Sequence, residues 1–157
     1  MSAIIDEIDS RIIHLLKQNG RLPNTEMANQ LNVSEAAIRK RLKRLIDEEI
    51  IQIVAIVNQN KVGYELEGNI KIKIDIKKTE LVKKELNSIE SLWYIAYLTG
   101  ASDFDIEFCA KSQGELRTLI EKINRIDGVL ETATSIRLQL VKNRYNWETP
   151  KIGSIPD

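Results

Sequence analysis

The order of hydrophobic periods in the second half of this 157-residue chain restricts its fold more than any other feature. Isoleucines at 70, 72, 74 and 76 alternate with charged residues, which is the pattern of a strand with one buried face. Two segments, 79–88 and 113–125, repeat apolar side chains at helical spacing instead. Further strand-like segments lie at 92–99, 104–108 and 129–141. The resulting order, β-α-β-β-α-β, predicts a ferredoxin-like domain in which four antiparallel strands carry two helices on one face.

Helical periods also fill the first fifty residues. Residues 4–19 carry isoleucines and leucines on one face and stop at Gly20, so they predict a first helix. A short helix is predicted at 24–31, with Pro23 just ahead of it. After a turn at 32–33, Ser34 is suited to cap a third helix that runs to about Glu48. These helices predict a helix-turn-helix domain over residues 1–50, and the whole chain is predicted to be an α+β protein.

The third predicted helix has an apolar back and a cationic front. On a helical wheel Lys40, Lys43 and Arg44 point away from the apolar stripe, and Arg39 and Arg41 lie on the flanks. A recognition helix needs this arrangement, because its back fixes it in the domain while its front neutralises phosphates. The residues predicted to face double-stranded DNA are Ser34, Ala36, Ala37, Arg39, Lys40, Arg41, Lys43 and Arg44. The alternative is a solvated basic face on an ordinary helix, and the formal net charge of zero does not decide between them.

Residues 51–57 are apolar and rich in β-branched side chains, which predicts a strand. Because an exposed apolar edge invites aggregation, we expect this strand to pair with its copy in a second chain around a two-fold axis. The alternative is a wing of the first domain, or a strand that joins its own domain's sheet. The strand and the polar loop after it form a linker at 51–63, followed by a domain at 64–142 and a tail at 143–157.

Composition argues against several other classes of protein. One cysteine, Cys109, permits neither an internal disulfide nor a multi-cysteine metal site, and the single histidine, His14, lacks partners for a metal. No apolar run approaches the ~20 residues that a membrane helix needs, and the acidic N-terminal stretch does not resemble a signal peptide. The sequence also lacks an arrangement of carboxylates or a phosphate loop suited to catalysis. We therefore expect a cytoplasmic protein without a membrane partner, a cofactor or enzymatic activity.

Several stretches of the chain, in this order, resemble one known family. They are Asp6-Glu-Ile-Asp9, Asn19-Gly-Arg21, Val33-Ser34, the basic run Arg39–Leu45, Val62-Gly63, Thr99–Asp105, and Gly128-Val129 with Thr132 and Thr134. The family is the leucine-responsive/asparagine-regulator (Lrp/AsnC) group, also called feast/famine transcriptional regulators. The resemblance covers about residues 4–142. It implies a winged-helix-type first domain, a linker strand, a C-terminal domain that binds an amino acid, and homodimers that associate further, often into octamers.

The resemblance also implies an effector site between the C-terminal domains of neighbouring dimers, near the turn that contains Gly100. Asp103 would accept the ammonium group of an amino acid, and the backbone N–H groups around Gly100 and Ala101 would hold its carboxylate. Hydroxyls on the last strand would add further contacts. The complete predicted set is Leu98, Thr99, Gly100, Ala101, Ser102, Asp103, Asp105, Thr132, Thr134 and Ser135. Taken alone, residues 100–103 have the composition of a plain hairpin turn, so this site depends on the resemblance.

Two residues depart from the family pattern. Pro23 stands where a capping serine or threonine is usual, and Asp105 stands where an apolar or aromatic residue is usual. The features together predict a sequence-specific DNA-binding transcriptional regulator that senses a small effector, an amino acid. A constitutive architectural protein with the same fold and no ligand is the alternative, and a thermal-shift screen of amino acids separates the two.

Overall fold

The structure is a computed structural model, and it describes residues 5–142. These residues divide into two compact units, one that extends to Ile56 and one formed by Val57–Val141. The division falls inside the linker predicted at 51–63. The tail predicted at 143–157 lies outside the described residues.

The first unit contains three helices that match the predicted positions closely. They are α1 (Glu7–Gln18), α2 (Asn24–Leu31) and α3 (Glu35–Asp47). Ahead of α2, Pro23 provides no side-chain cap, and the left-handed Asn32 with φ 54° ends that helix and begins the turn to α3. The buried core between the helices consists of Ile12, Ile13, Met27, Ala28, Leu31, Ile38 and Leu45. The helix-turn-helix predicted from the sequence is therefore confirmed.

The second unit is the predicted ferredoxin-like domain. Its elements are β1 (Leu66–Ile74), α4 (Thr79–Asn87), β2 (Tyr94–Tyr97), β3 (Phe104–Ala110), α5 (Gln113–Asn124) and β4 (Val129–Ile136). The strands form one antiparallel sheet in the order β2-β3-β1-β4. Ile70 of β1 is paired with Ile106 of β3 and with Thr134 of β4, which sets the register across the sheet. The α+β fold class is therefore confirmed.

One face of this sheet forms the core of the second unit. The alternating residues Ile70, Ile72, Ile74, Phe104, Ile106 and Phe108 are buried there with Val82, Leu86, Leu116 and Ile123 of the two helices. The other face carries the intervening polar residues, among them Asn69, Lys71 and Asp105. The strand period of two therefore decides which side chains of β1 and β3 remain open to ligands or partners.

Three strand predictions need correction. Residues 51–58 form no strand within one chain, because none of them pairs with β1–β4, and Ile51 donates its backbone N–H to the Leu45 carbonyl at 3.1 Å instead. Strand β4 ends at Ile136 instead of 141, and its last paired residue in β1 is Gly68, although the backbone N–H of Arg137 still donates to the Glu67 carbonyl at 2.7 Å. Ile76 does not continue β1 but begins a short 3-10 helix, Ile76–Lys78, whose backbone N–H at Lys77 is capped by the Asp75 carboxylate. A second 3-10 helix, Gln59–Val62, follows residues 51–58.

Candidate nucleic-acid interface and effector region

Helix α3 is fixed at its start and along its back. The Ser34 hydroxyl accepts a hydrogen bond from the backbone N–H of Ala37 at 3.2 Å, which caps the helix as the sequence predicted. Ile38 and Leu45 are fully buried against the other two helices. The opposite surface begins with Ala36, which is exposed, and Ala37, which is half-buried. Small side chains at this point leave the N-terminal turn of the helix open to close approach.

Three basic side chains project from the exposed surface of α3. Arg39 is 71% exposed and pairs with Glu35 at 2.6 Å, and Lys43 is 75% exposed and pairs with Asp47 at 2.6 Å. Lys40 is exposed between them. A shallow surface hollow of about 610 Å³ is lined by Glu35, Ala36, Arg39, Lys40 and Lys43. Because exposed pairs of this kind contribute little to stability, these cations are available to exchange their carboxylate partners for phosphate.

The other two basic residues of α3 contact carboxylates of the first helix, and for Arg44 this departs from the helical-wheel prediction. The guanidinium of Arg41 contacts Asp9 at 2.9 Å and Asp6 at 2.5 Å, and that of Arg44 contacts Asp9. Both guanidiniums therefore turn toward α1, although the wheel placed Arg44 on the front of the helix. The backbone N–H of Asp9 and the Arg41 guanidinium lower the pKa of Asp6, and the same contact to Asp6 raises the pKa of Arg41.

The turn between β2 and β3 contains the first group of predicted effector residues. The backbone N–H of Leu98 donates to the carbonyl of Asp103 at 2.8 Å and closes the turn. Leu98, Thr99, Gly100 and Ala101 are exposed, and Ser102 is half-buried. Gly100 has φ 123°, a conformation that glycine adopts without strain, and no other atom lies within 4 Å of the place of a Cβ. The backbone of this turn is therefore open to an incoming group.

The Asp103 carboxylate is already engaged within the sheet. It accepts a hydrogen bond from the backbone N–H of Ile74 at 2.9 Å and from the Lys73 ammonium at 3.2 Å. These two donors lower the pKa of Asp103, with the Ile74 N–H as the larger cause. The side chain retains 13% exposure. Asp103 therefore joins the start of β3 to the end of β1, a role that its sequence context does not indicate.

The remaining predicted effector residues do not meet the turn within one chain. Asp105 lies on the open face of the sheet, where its carboxylate accepts a hydrogen bond from Asn69 at 2.9 Å. Thr132 and Thr134 are paired with Ile72 and Ile70 and share their side of the sheet, whereas Ser135 faces the opposite side. The hydroxyl of Thr132 donates to the Asn124 side chain at 2.9 Å. Strand β1 separates β4 from β3, so Thr132 lies about 10 Å from β3 across the sheet, and Thr134 and Ser135 lie still farther from the turn.

Two acidic residues that contact the arginines of α3, Asp6 and Asp9, were not predicted from the sequence to be functional. A signal was present, because Asp9 lies on the same helical stripe as Ile5, Ile12 and Ile13. A carboxylate on an apolar stripe needs cationic or N–H partners from elsewhere in the fold. Asp6 also begins α1 as part of a capping box with Asp9. The missed partners of the effector region, Lys73 and Asn69, carry no comparable signal.

Other residues with reactive side chains do not assemble into a second site in the part of the chain that the structure describes. His14 is exposed and hydrogen-bonds to Gln18 at 2.8 Å. Burial raises the pKa of the Cys109 thiol, which keeps it protonated. Residues 5–142 contain no group of three or more histidine, cysteine or acidic side chains suited to a metal ion. Over the same residues, none of the helices has both the length and the apolar content to cross a membrane.

A capped helix with a buried back and an exposed cationic front, in a helix-turn-helix, defines a DNA-binding transcriptional regulator. Comparison with known proteins supports this class: residues 5–46 match the AsnC-type helix-turn-helix domain, and residues 69–147 match the Lrp/AsnC ligand-binding domain. The chain therefore belongs to the Lrp/AsnC family of transcriptional regulators, as its sequence motifs predicted.

Similar proteins extend over nearly the whole chain. A helix-turn-helix-type transcriptional regulator of Pyrococcus horikoshii is 34% identical over 143 residues, which cover 90% of each chain. The structure of AsnC from E. coli is 30% identical with a TM-score of 0.81, and the match covers 90% of this chain and 97% of that one. A regulator of Neisseria meningitidis, solved as a complex with L-Met, has a TM-score of 0.82 at 22% identity, over 92% and 96% of the two chains.

Proposed function

We propose that this regulator binds duplex DNA as a homodimer through α3 and that an amino acid bound by the second unit controls this binding. The observation that carries the DNA-binding proposal is the exposed surface of α3, where Arg39, Lys40 and Lys43 surround Ala36. Exposed cations of this kind neutralise phosphates and release counterions. Ala36 and Ala37, next to the Ser34 cap, are small enough to approach base edges and to contact thymine methyl groups.

The test for DNA binding compares Lys40→Ala and Lys43→Ala with the parent on an operator selected from random duplexes. The slope of log K against log salt is expected to fall by about 0.9 for each phosphate that is no longer neutralised, and therefore by about twice that in a dimer. Lys84→Ala is the matched control, since Lys84 is an exposed lysine on α4 in the other unit. An unchanged slope for both α3 variants would remove this helix from the DNA interface.

The proposal for an effector is supported by the open turn of the second unit. Free backbone N–H groups near Gly100 suit a carboxylate, and the hydroxyls of Thr132, Thr134 and Ser135 suit polar groups of an amino acid. Because these groups lie apart within one chain, we propose that a neighbouring chain completes the site. The L-Met complex of the Neisseria meningitidis protein, which has the same fold, makes an amino acid the class of ligand to test.

The test for an effector is thermal unfolding of the purified protein with each of the twenty amino acids and with the D-enantiomers of the nineteen chiral ones. A ligand present at about 100 times its Kd stabilises the folded state by about 2.7 kcal/mol, which raises the midpoint by several degrees. We expect one or a few L-amino acids to do this and their D-enantiomers not to. The absence of a shift with every amino acid would favour an architectural DNA-binding protein without an effector.

The assembly proposed here is a dimer that pairs through residues 51–57 and associates further, with the octamers of the family as the expected form. Ile53, Val54, Ile56 and Val57 are between 46% and 69% exposed in one chain, which leaves an apolar segment for a partner to cover.

We propose that the protein regulates by binding alone, without catalysis or a resident cofactor. Because its proposed target is chromosomal DNA, the cytoplasmic location expected from the sequence is part of the same proposal.

A further inference from the structure

A buried carboxylate joins the first helix to the proposed recognition helix. The Asp9 side chain is 1% exposed, yet both of its oxygens have donors. Oδ1 accepts from Arg41 at 2.9 Å, and Oδ2 accepts from Arg44 and from the backbone N–H of Asp6 at 3.1 Å. A buried charge is tolerated only when paired and hydrogen-bonded in this way. Asp9 therefore holds two points of α3 that lie three residues apart on one side of that helix.

The basic residues of α3 separate into two groups by exposure and by partner. The side chains of Arg41 and Arg44 are 29% and 37% exposed and contact carboxylates 32 to 35 residues away in the chain, and Arg44 has a longer second contact with Glu48 of its own helix at 3.7 Å. Those of Arg39 and Lys43 are 71% and 75% exposed and pair only within their own helix. The first group is occupied inside the unit, where removal of one partner would leave a buried charge uncompensated.

We propose that Asp9 is a positioning residue for DNA recognition: through Arg41 and Arg44 it fixes the rotation of α3 about its own axis. Arg39, Lys40 and Lys43 supply the phosphate contacts, while Arg41 and Arg44 supply none. This inference rests on the proposed DNA-binding function of α3. It reverses the expectation from the sequence that all five basic residues face the duplex.

Helix geometry explains why rotation matters. Side chains lie about 5–6 Å from the helix axis, so a rotation of about 20° displaces their contact atoms by about 2 Å. A displacement of that size is enough to break hydrogen bonds to base edges, which tolerate only a few tenths of an ångström. Apolar packing of Ile38 and Leu45 is non-directional, whereas the two charged hydrogen-bonding contacts of Asp9 are directional. Asp9 therefore controls specificity more than general affinity.

The experiment measures two quantities for each variant: the preference for the selected operator over a scrambled duplex, and the salt slope of binding. Arg44→Gln is expected to lose roughly tenfold or more of the preference while the salt slope stays at the parent value. Lys43→Gln is expected to do the reverse, since removal of one cation from the phosphates lowers the slope by about 0.9 per phosphate and weakens all sequences similarly.

Asp9→Asn is the third variant, and it removes the carboxylate without changing a residue of α3. Its preference should fall as in Arg44→Gln, with a salt slope equal to the parent value or steeper because both arginines are released toward phosphate. Each variant is measured at a temperature at which its far-UV circular dichroism equals that of the parent, so that unfolding does not explain the loss.

Two results would overturn the inference and leave the proposed function intact. One is a salt slope that falls in Arg44→Gln as much as in Lys43→Gln, and the other is an unchanged operator preference in Asp9→Asn. A slope unchanged in Lys43→Gln and Lys40→Ala would instead contradict the proposed DNA-binding function of α3. The two failures are therefore distinguishable.

Discussion

The Asp103 carboxylate accepts a hydrogen bond from the backbone N–H of Ile74 at 2.9 Å, which joins the start of β3 to the last residue of β1. The backbone N–H of Asp103 in turn donates to the carbonyl of Ile72 at 2.9 Å. The two bonds hold the open turn at 98–103 against the centre of the sheet. The residue that the family resemblance assigned to the ammonium of an effector thus has a structural partner in the same chain.

The first prediction concerns the pH dependence of this hydrogen bond. Since the folded state lowers the pKa of Asp103 below its ordinary value of 3.8, the ionised carboxylate stabilises the fold above that value, and this stabilisation disappears as pH falls through the folded pKa. Asp103→Asn should therefore be less stable than the parent at pH 7, with a gap that narrows as pH falls below about 4. Urea unfolding between pH 2.5 and pH 7 measures the gap.

Lys73→Met is the matched control for that measurement. It removes only the smaller of the two causes of the lowered pKa and leaves the Ile74 N–H in place. The difference in unfolding free energy between Lys73→Met and the parent should narrow over the same pH range. At pH 7 this difference should be smaller than the one for Asp103→Asn. A gap for Asp103→Asn that stays constant from pH 7 to pH 2.5 would show that the ionised carboxylate does not hold the turn.

The second prediction compares two glycines with positive φ. Gly128 has φ 103°, and a Cβ there would lie 2.7 Å from the Cβ of Lys78 and 3.2 Å from Cγ2 of Val82. Gly100 has φ 123° and open space around it. Alanine at either position should cost about 1–3 kcal/mol of unfolding free energy through backbone strain. Gly128→Ala should cost about 1 kcal/mol more, because the loop before β4 must also move away from the start of α4.

Chemical denaturation of the two alanine variants tests this difference, with the slope against denaturant used to check that the unfolded states are alike. Equal losses in both variants would mean that the contact between Gly128 and Lys78 imposes no steric requirement.

The third prediction concerns the cap of α3. Ser34→Ala removes the acceptor for the Ala37 N–H and should cost about 1 kcal/mol, whereas Ser34→Gly should cost only a few tenths. Thermal unfolding followed by circular dichroism measures both. DNA affinity adds a second comparison, because the two variants lose the hydroxyl equally. An affinity loss that follows stability indicates capping alone, and an equal loss in both indicates that the hydroxyl itself contacts the duplex.

Local periodicity made most of the fold predictable. The alternation of Ile70, Ile72 and Ile74 with charged residues marks the buried face of β1, and the helices begin and end within about three residues of their predicted limits. Both signals depend on neighbours a few residues away, which a sequence displays directly. The same period also places Ser135 opposite to Thr134, which is why the predicted hydroxyl set does not lie on one face.

Contacts between distant residues were not predictable in the same way. A helical wheel shows the direction of Arg44 but not that Asp9, 35 residues earlier, lies within reach of its long side chain. The partner of Asp103 is a backbone N–H, which has no signature in the sequence. Strand β1 ends at Ile74, and the next residue, Asp75, donates its backbone N–H to the carbonyl of Gly128 at 2.8 Å. Gly128 is more than fifty residues away in the sequence, so this hydrogen bond is not visible in the local pattern. Tertiary pairing of this kind decides element ends and site geometry.

The fourth prediction concerns the segment proposed to pair with its copy in a second chain. In an antiparallel pair of strands, the N–H groups of successive residues point to opposite edges. Val54→Pro and Ala55→Pro each remove one backbone N–H group. Only one of these two N–H groups can point to the partner strand and donate a hydrogen bond to it. One variant should therefore weaken the dimer markedly more than the other, although both restrict the backbone alike. Sedimentation velocity over a range of protein concentrations measures the dissociation constant of each.

Ile76→Lys is the control for a change at an exposed apolar residue outside this segment, since Ile76 is 71% exposed in the second unit. Backbone amide exchange provides an independent reading, because pairing should protect alternate residues between 52 and 57 and the protection should disappear on dilution to monomer. Equal and small effects of the two prolines, together with unprotected amides along the whole segment, would exclude pairing through residues 51–57. The apolar side chains of Val54 and Ile56 would then require a different surface of a partner chain to cover them, since they are exposed and form no strand within one chain.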